Sequence, residues 1–254
     1  MTFEKFSVIP IGPIQIQVWG LLVALGMLVA LLFTLREAKR KKMRSEPFID
    51  IFILSFIASI IGSRLLYVAI FWDNYKDNLW KIVQINEGGL VFLGGVLLVV
   101  LTIILYTRFK KLKFWKVADA ISPGFALGIG IGRIGCYLIG DHIGSRTNLF
   151  LGSYYNGDLR HEPSLYLSIN GFILFLLLFL LRPFIRTQGV MAYIFIVWYS
   201  ASRFLLDFTR AMDIEGLSDP RYFNLTISQW LSLALFVIFL PLLIHKIARA
   251  KAKK

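Results

Sequence analysis

Residues 88–107 read GGLVFLGGVLLVVLTIILYT, without one charge, and the stretch 108–116 that follows, RFKKLKFWK, carries Arg108, Lys110, Lys111, Lys113 and Lys116. About 20 apolar residues at 1.5 Å each cross the ~30 Å of bilayer hydrocarbon, and a basic cluster at the end of such a run marks its cytoplasmic side. Worked outward, the same alternation of apolar run and charged break covers the chain. It predicts spans at roughly 15–35, 48–71, 88–107, 117–140, 164–181, 189–208 and 227–245. With 57% hydrophobic and 17% charged residues, the composition is that of an integral membrane protein. The expected fold is all-α, about seven transmembrane helices in a single polytopic domain over 1–254. Residues 141–163 are polar and glycine-bearing and form a small extracytoplasmic head, while 72–87 form an interfacial arm. Trp72, Trp80 and Trp115 sit where aromatic anchors belong. The start lacks a basic region and a cleavage site, so the first run is expected to stay as a span.

The formal charge of +13 invites a nucleic-acid reading, but the charges follow topology. One set of loops holds Arg36, Lys39, Arg40, Lys41, Lys42, Arg44, Arg108, Lys110, Lys111, Lys113, Lys116, Arg182, Arg186, Lys246, Arg249, Lys251, Lys253 and Lys254. The other holds only Lys5, Lys76, Lys81, Arg146, Arg160, Arg210 and Arg221. This division of eighteen against seven predicts an outside N-terminus and a cytoplasmic C-terminus, and removes the case for nucleic acid. A lone Cys136 excludes an internal disulfide and a cysteine zinc site, and His142, His161 and His245 have no ligand spacing, so no metal or other cofactor is expected.

Arg64, Arg133 and Arg203 lie inside spans. Each costs about 3 kcal/mol at a span's centre on insertion scales and so calls for a partner. Arg64 stands eight residues before Trp72, Arg133 eight before Asp141, and Arg203 seven before Arg210, which puts each roughly 10–12 Å below the outer end of its own helix. Three guanidiniums at matched depth suit the phosphate of a phospholipid, which they grip in two-pronged fashion. Separate snorkelling to the interface is the plainer alternative. Asp207, one helical turn after Arg203, either neutralises that arginine or orients it for a ligand. Gly124, Gly128 and Gly132 mark a face for close helix packing. The literal GxGxxG at 130–135 lacks the strand that a dinucleotide site requires.

The stretch GRIGCYLIGDHIG at 132–144 resembles the signature of the bacterial prolipoprotein diacylglyceryl transferases. Agreement continues along the whole chain, in order: Gly12-Pro13, Trp19-Gly20-Leu21, Gly62-Ser63-Arg64, the glycine-rich 88–95, His161-Glu162-Pro163-Ser164-Leu165-Tyr166, Arg203-Phe204 with Asp207 and Arg210, and 225–230. The resemblance implies a bacterial plasma-membrane enzyme. It would move the diacylglyceryl group of phosphatidylglycerol onto the lipobox cysteine thiol of a preprolipoprotein, forming a thioether and releasing glycerol phosphate. It carries Arg133, Gly135, Gly144 and Arg203 over directly and Asp141 and Asp207 as shortened acids; His161 and Tyr166 lie in the motif before span five, where capping or a local hydrogen bond is the plainer role of His161. The chain departs from the pattern at Leu93, where a histidine is usual, at Cys136 and Ile139 in place of asparagines, and at Trp19, Ser164 and Leu167.

The expected catalytic residues are therefore Arg133, Arg203, Asp141 and His142. The expected substrate contacts are Arg64, Arg133, Arg203, Asp207, Gly135, Gly144, His161 and Tyr166. With Leu93 unable to take a proton, the general base is expected at Asp141 or His142. A buried Cys136 as nucleophile stands against the commoner role of a small hydrophobe. A non-enzymatic phospholipid-binding or transport protein on the same fold is the alternative function.

Overall fold

A computed structural model of the chain describes residues 6–12, 14–84, 88–214 and 220–252. Lys5, Pro13, the end of the arm at 85–87, Lys253 and Lys254 lie outside the described residues. Among the described residues, seven helices are long and apolar enough to cross a membrane. They are α1 (Val18–Arg40), α2 (Glu46–Ile70), α3 (Phe92–Phe109), α4 (Phe114–Ile139), α5 (Pro163–Leu181), α6 (Val190–Leu206) and α7 (Ile227–Lys251).

The differences from the expected spans have local causes. Residues 15–17, the start of the first expected span, belong instead to strand β2 (Ile14–Gln17), paired antiparallel with β1 (Val8–Ile11), because Ile-Gln-Ile-Gln alternates with the period of a strand. At the other ends, α1 and α7 outrun their apolar stretches, since Arg, Lys, Glu and Ala keep a helix going in water. In the third span, Gly88 and Gly89 take positive φ and helix begins only at Phe92.

The described residues gather into two compact units, 1–37 with 118–254, and 38–117. In the smaller, α2 and α3 touch at glycines. A Cβ on Gly62 would come within 2.4 Å of the Gly94 carbonyl oxygen, and one on Gly94 within 2.2 Å of that of Gly62. After α2 the arm runs through single 3-10 turns at Trp72–Asn74 and Leu79–Val83. It leaves Trp72, Leu79, Trp80 and Val83 exposed.

In the larger unit the glycine-rich α4 packs on two sides. Gly124 and Gly128 face Ala30, Thr34 and Gly26 of α1, while Gly130 faces Phe172 of α5 and its carbonyl accepts the Ser168 hydroxyl at 2.7 Å. Without an oil–water difference to drive association in lipid, such close backbone approach and interhelical hydrogen bonds hold the helices together. Ala126 lies at the centre of this packing, in a core with Leu174, Leu178 and Met191. Buried Asp119 accepts the backbone N–H groups of Gly189 (2.5 Å) and Ala192 (3.0 Å), so it caps the start of α6 from another helix.

Candidate functional site

The site is built where α4 and α6 end. Helix α4 stops at Ile139 because Gly140 takes the left-handed conformation, φ 63°. The Asp141 N–H bonds back to the Cys136 carbonyl at 3.2 Å and the Gly140 N–H to that of Tyr137 at 3.1 Å, the paired closure of a glycine stop. This turn throws Asp141 and His142 out of the helix together. His142 Nδ1 lies 2.9 Å from Asp141 Oδ2, off the line of a hydrogen bond.

One and a half turns back along α4 stands Arg133, half-buried. Among the described residues it has no carboxylate partner, and its polar contact is the Cys136 thiol, 3.9 Å from Nη1. Cys136 is buried, as its reading as a small hydrophobe requires.

At the end of α6, Asp207 is the hub. Its carboxylate is fully buried. Oδ1 faces Arg203 Nη2 at 3.2 Å and Arg210 Nε at 3.6 Å. Oδ2 accepts the Ser228 hydroxyl at 2.7 Å and that of Thr226. Thr226 and Gln229 form a capping box at the start of α7, so the same threonine starts one helix and pins the acid at the end of another. Among the described residues Arg203 spends only Nη2, on Asp207 and on Ser228 at 3.3 Å. Its Nε and Nη1 are left for another acceptor.

The two helix ends are stitched by backbone. Residues 143–147 run as a strand beside 209–211: the Ala211 N–H bonds to the Ile143 carbonyl at 3.1 Å and that of Ser145 to Thr209 at 2.9 Å. On its other side the strand meets the end of the hairpin β3 (Ser153–Tyr155) and β4 (Asp158–Arg160). The Gly144 N–H bonds to the His161 carbonyl, 3.0 Å away. Arg160, 6% exposed, locks the assembly, donating to the Gly144 carbonyl at 3.1 Å and gripping Asp213 with both terminal nitrogens at 2.9 and 2.7 Å. Those bonds hold the Asp213 carboxyl down to about 2 and raise Arg160 further. A cleft of about 40 Å³ opens between this head and the end of α4, with Tyr137, His142, Tyr154, Tyr155, Arg160 and Glu162 in its walls.

The expected residues separate into groups. Arg133 with Asp141 and His142, and Arg203 with Asp207, stand on the two stitched helix ends; among the described residues no side chain bridges Arg133 to Arg203. His161 and Tyr166 engage each other, Nδ1 to hydroxyl at 3.0 Å, and burial pushes His161 below its usual value. Three of the expected substrate contacts have partners within the chain. Gly144 is small because a Cβ there would lie 2.4 Å from the His161 carbonyl oxygen, and Gly135 packs on Trp19 and Leu22 of α1. Arg64, in the smaller unit, spends its guanidinium on the backbone carbonyls of Lys81, Ile82, Gln84, Gly88 and Gly89, at 2.6–3.2 Å, beneath the rings of Tyr67 and Tyr75. A Cβ on Gly89 would strike that guanidinium and the Tyr67 ring. Arg64 therefore holds the arm. In the sequence Arg210 stands among the loop cations, and Thr226, Ser228 and Gln229 carry no expected role. The signals were the three-residue spacing from Asp207 and the Thr-x-x-Gln of a capping box.

Comparison with known proteins places the chain in a family. The family described as prolipoprotein diacylglyceryl transferase matches residues 7–245. A protein named phosphatidylglycerol–prolipoprotein diacylglyceryl transferase from Listeria innocua is 31% identical over 250 residues, covering 94% of this chain and 88% of its own. One so named, with the suffix 1, from Clostridium perfringens is 33% identical over 258 residues, covering 96% and 95%. Another, from Bacillus licheniformis, is 31% identical over 93% of this chain and 90% of its own. The chain belongs to the prolipoprotein diacylglyceryl transferase family.

Proposed function

We propose that this multi-pass bacterial membrane protein transfers the diacylglyceryl group of phosphatidylglycerol to the cysteine thiol of a prolipoprotein. The acceptor sulfur attacks the diacylglycerol carbon that carries the phosphate oxygen. A carbon–sulfur bond forms, that carbon–oxygen bond breaks, and glycerol phosphate leaves with the electron pair. The observation that carries the reading is Arg133: a half-buried guanidinium on a membrane-crossing helix, with no carboxylate partner among the described residues. A cation so placed is costly unless an anion joins it, and a lipid phosphate is the anion at hand.

In this reading Arg133 and Arg203 hold the phosphate together. Arg203 is aimed by Asp207 and offers Nε and Nη1. The phosphate gains charge as the bond breaks, and fixed guanidiniums in a dry site stabilise it most at that point. The thiol reacts as its thiolate, so its proton needs an acceptor. Asp141 and His142, side by side at the mouth, take it, since Leu93 cannot. The site faces outward, with the N-terminus outside and the C-terminus cytoplasmic, as the basic loops indicate.

The test is purified protein in phosphatidylglycerol vesicles with a lipobox peptide, followed by mass spectrometry. The expected products are the thioether-linked peptide and glycerol phosphate. Lipid binding without any adduct would defeat the enzyme reading in favour of a binding or transport protein.

A further inference from the structure

The head hairpin has a free edge beside the site. Asn156 and Gly157 join β3 to β4, both at positive φ, 50° and 87°. A two-residue turn of this kind closes on a hydrogen-bonded pair, here Tyr155 with Asp158, so the next pair, Tyr154 with Leu159, does not exchange backbone bonds. The backbone of Leu159 points instead to the neighbouring strand, where its carbonyl accepts the Thr147 N–H at 2.9 Å. By the same alternation the N–H and carbonyl of Tyr154 point the other way, out of the sheet. Among the described residues no backbone group meets them. Tyr154 is 55% exposed. It walls the cleft together with Tyr137, His142 and Glu162. The turn leading into β3 presents Leu149, Phe150 (83% exposed) and Leu151.

Resting on the transferase reading, we infer that an extended segment of the acceptor polypeptide adds itself as a strand to β3. One of its residues pairs N–H to carbonyl and carbonyl to N–H with Tyr154. Its apolar side chains lie on Leu149, Phe150 and Leu151, and its cysteine is delivered to the cleft at the end of α4. A paired donor and acceptor at strand spacing is complementary to a peptide backbone, whereas a diacyl phospholipid has no N–H–carbonyl pair to match it. Backbone pairing also ignores side chains, which suits an enzyme whose acceptors form a class of proteins rather than one.

The test uses the full-length protein in phosphatidylglycerol vesicles and a lipobox peptide carrying a single backbone N-methyl group at successive positions. One position near the cysteine is expected to lose transfer about tenfold in kcat/KM while its neighbours, whose N–H groups face away, do not. In the protein, Tyr154→Pro deletes the outward N–H without removing a bond to β4. It is expected to raise KM for the peptide about tenfold, with KM for phosphatidylglycerol unmoved. A benzophenone side chain at 154 is expected to capture the peptide. Transfer by the wild-type protein with no N-methyl-sensitive position, or capture of lipid alone at 154, would overturn the strand-addition inference and leave the transferase reading standing. No transfer by the wild-type protein would overturn both.

Discussion

Arg203 and Asp207 are in contact, yet substituting them is expected to do opposite things. Arg203→Lys keeps one positive charge on α6, and an ammonium there still reaches the buried Asp207 carboxylate, which Arg203 Nη2 now meets at 3.2 Å. What lysine lacks is the fork. With its single nitrogen held by Asp207, nothing replaces Nε and Nη1 toward a lipid phosphate. Losing one such charge-assisted contact in the transition state costs about 3 kcal/mol, roughly a hundredfold in rate, while stability stays near that of the wild type. Asp207→Asn is the reverse. It keeps an acceptor for Ser228 and Thr226 but removes the negative charge between Arg203 and Arg210, whose side chains are only 14% and 12% exposed. Leaving buried charge uncompensated costs about 3–5 kcal/mol of stability. The guanidinium of Arg203 survives, misaimed, and the rate falls by less than in the lysine variant, about tenfold. The assay is transfer from phosphatidylglycerol to a lipobox peptide, with a thermal unfolding scan of each variant after equal membrane insertion is confirmed. Near-wild-type turnover in Arg203→Lys, or a larger rate loss in Asp207→Asn than in Arg203→Lys, would refute the division between clamp and hub.

Arg133→Lys is expected to lose roughly a hundredfold for the same reason, and without a stability cost, since it breaks no ion pair among the described residues; unchanged turnover would make Arg133 structural. Replacing Asp141 or His142 by a neutral residue is expected to cut transfer without unfolding, and rates unaltered by both changes between about pH 6 and 9 would favour thiol activation by the arginines alone. Reporter fusions at residue 42 and at the C-terminus are expected to register cytoplasm and one at 155 the outside; a cytoplasmic signal at 155 would invert the topology. Asp213 is held down to about 2 by Arg160, so its contribution is present above its unperturbed range near 4 and lost as pH falls through about 2. Asp213→Asn should therefore lower the melting temperature at neutral pH, and the gap to the wild type should close on acidification; a gap independent of pH would remove the lock between head and α6.

The seven spans were legible because a bilayer imposes one simple rule on sequence, a long apolar run for each crossing. The ends were less so, since helix outruns the apolar stretch wherever the residues favour it, and Ile14–Gln17 turns to strand on a local alternation that a hydropathy window averages away. In the site, Arg133, Arg203 and Asp207 stood out as charges in apolar runs. The head is expected at 141–163, but its construction was not legible, because what builds it is distant in sequence: Arg160 meets Asp213 across 53 residues and Ser145 meets Thr209 across 64.

The instructive case is Arg64, which depth alone made the equal of Arg133 and Arg203. Each arginine stands six residues before its helix, or for α6 the 3-10 turn that extends it, comes to an end. Position along the helix therefore does not separate the three. The partner sets what the charge does, and the partners differ. Arg64 is saturated by five carbonyls that the Gly88-Gly89 turn brings within reach, so it has no donor to spare and serves the arm. Arg203 is half spent, with one nitrogen on Asp207 and Ser228 to fix its direction. Arg133 touches only a thiol among the described residues. An intramembrane guanidinium acts on a ligand in proportion to the donors its own chain leaves unused. On that scale Arg133 is the residue whose charge a substrate has most reason to complete.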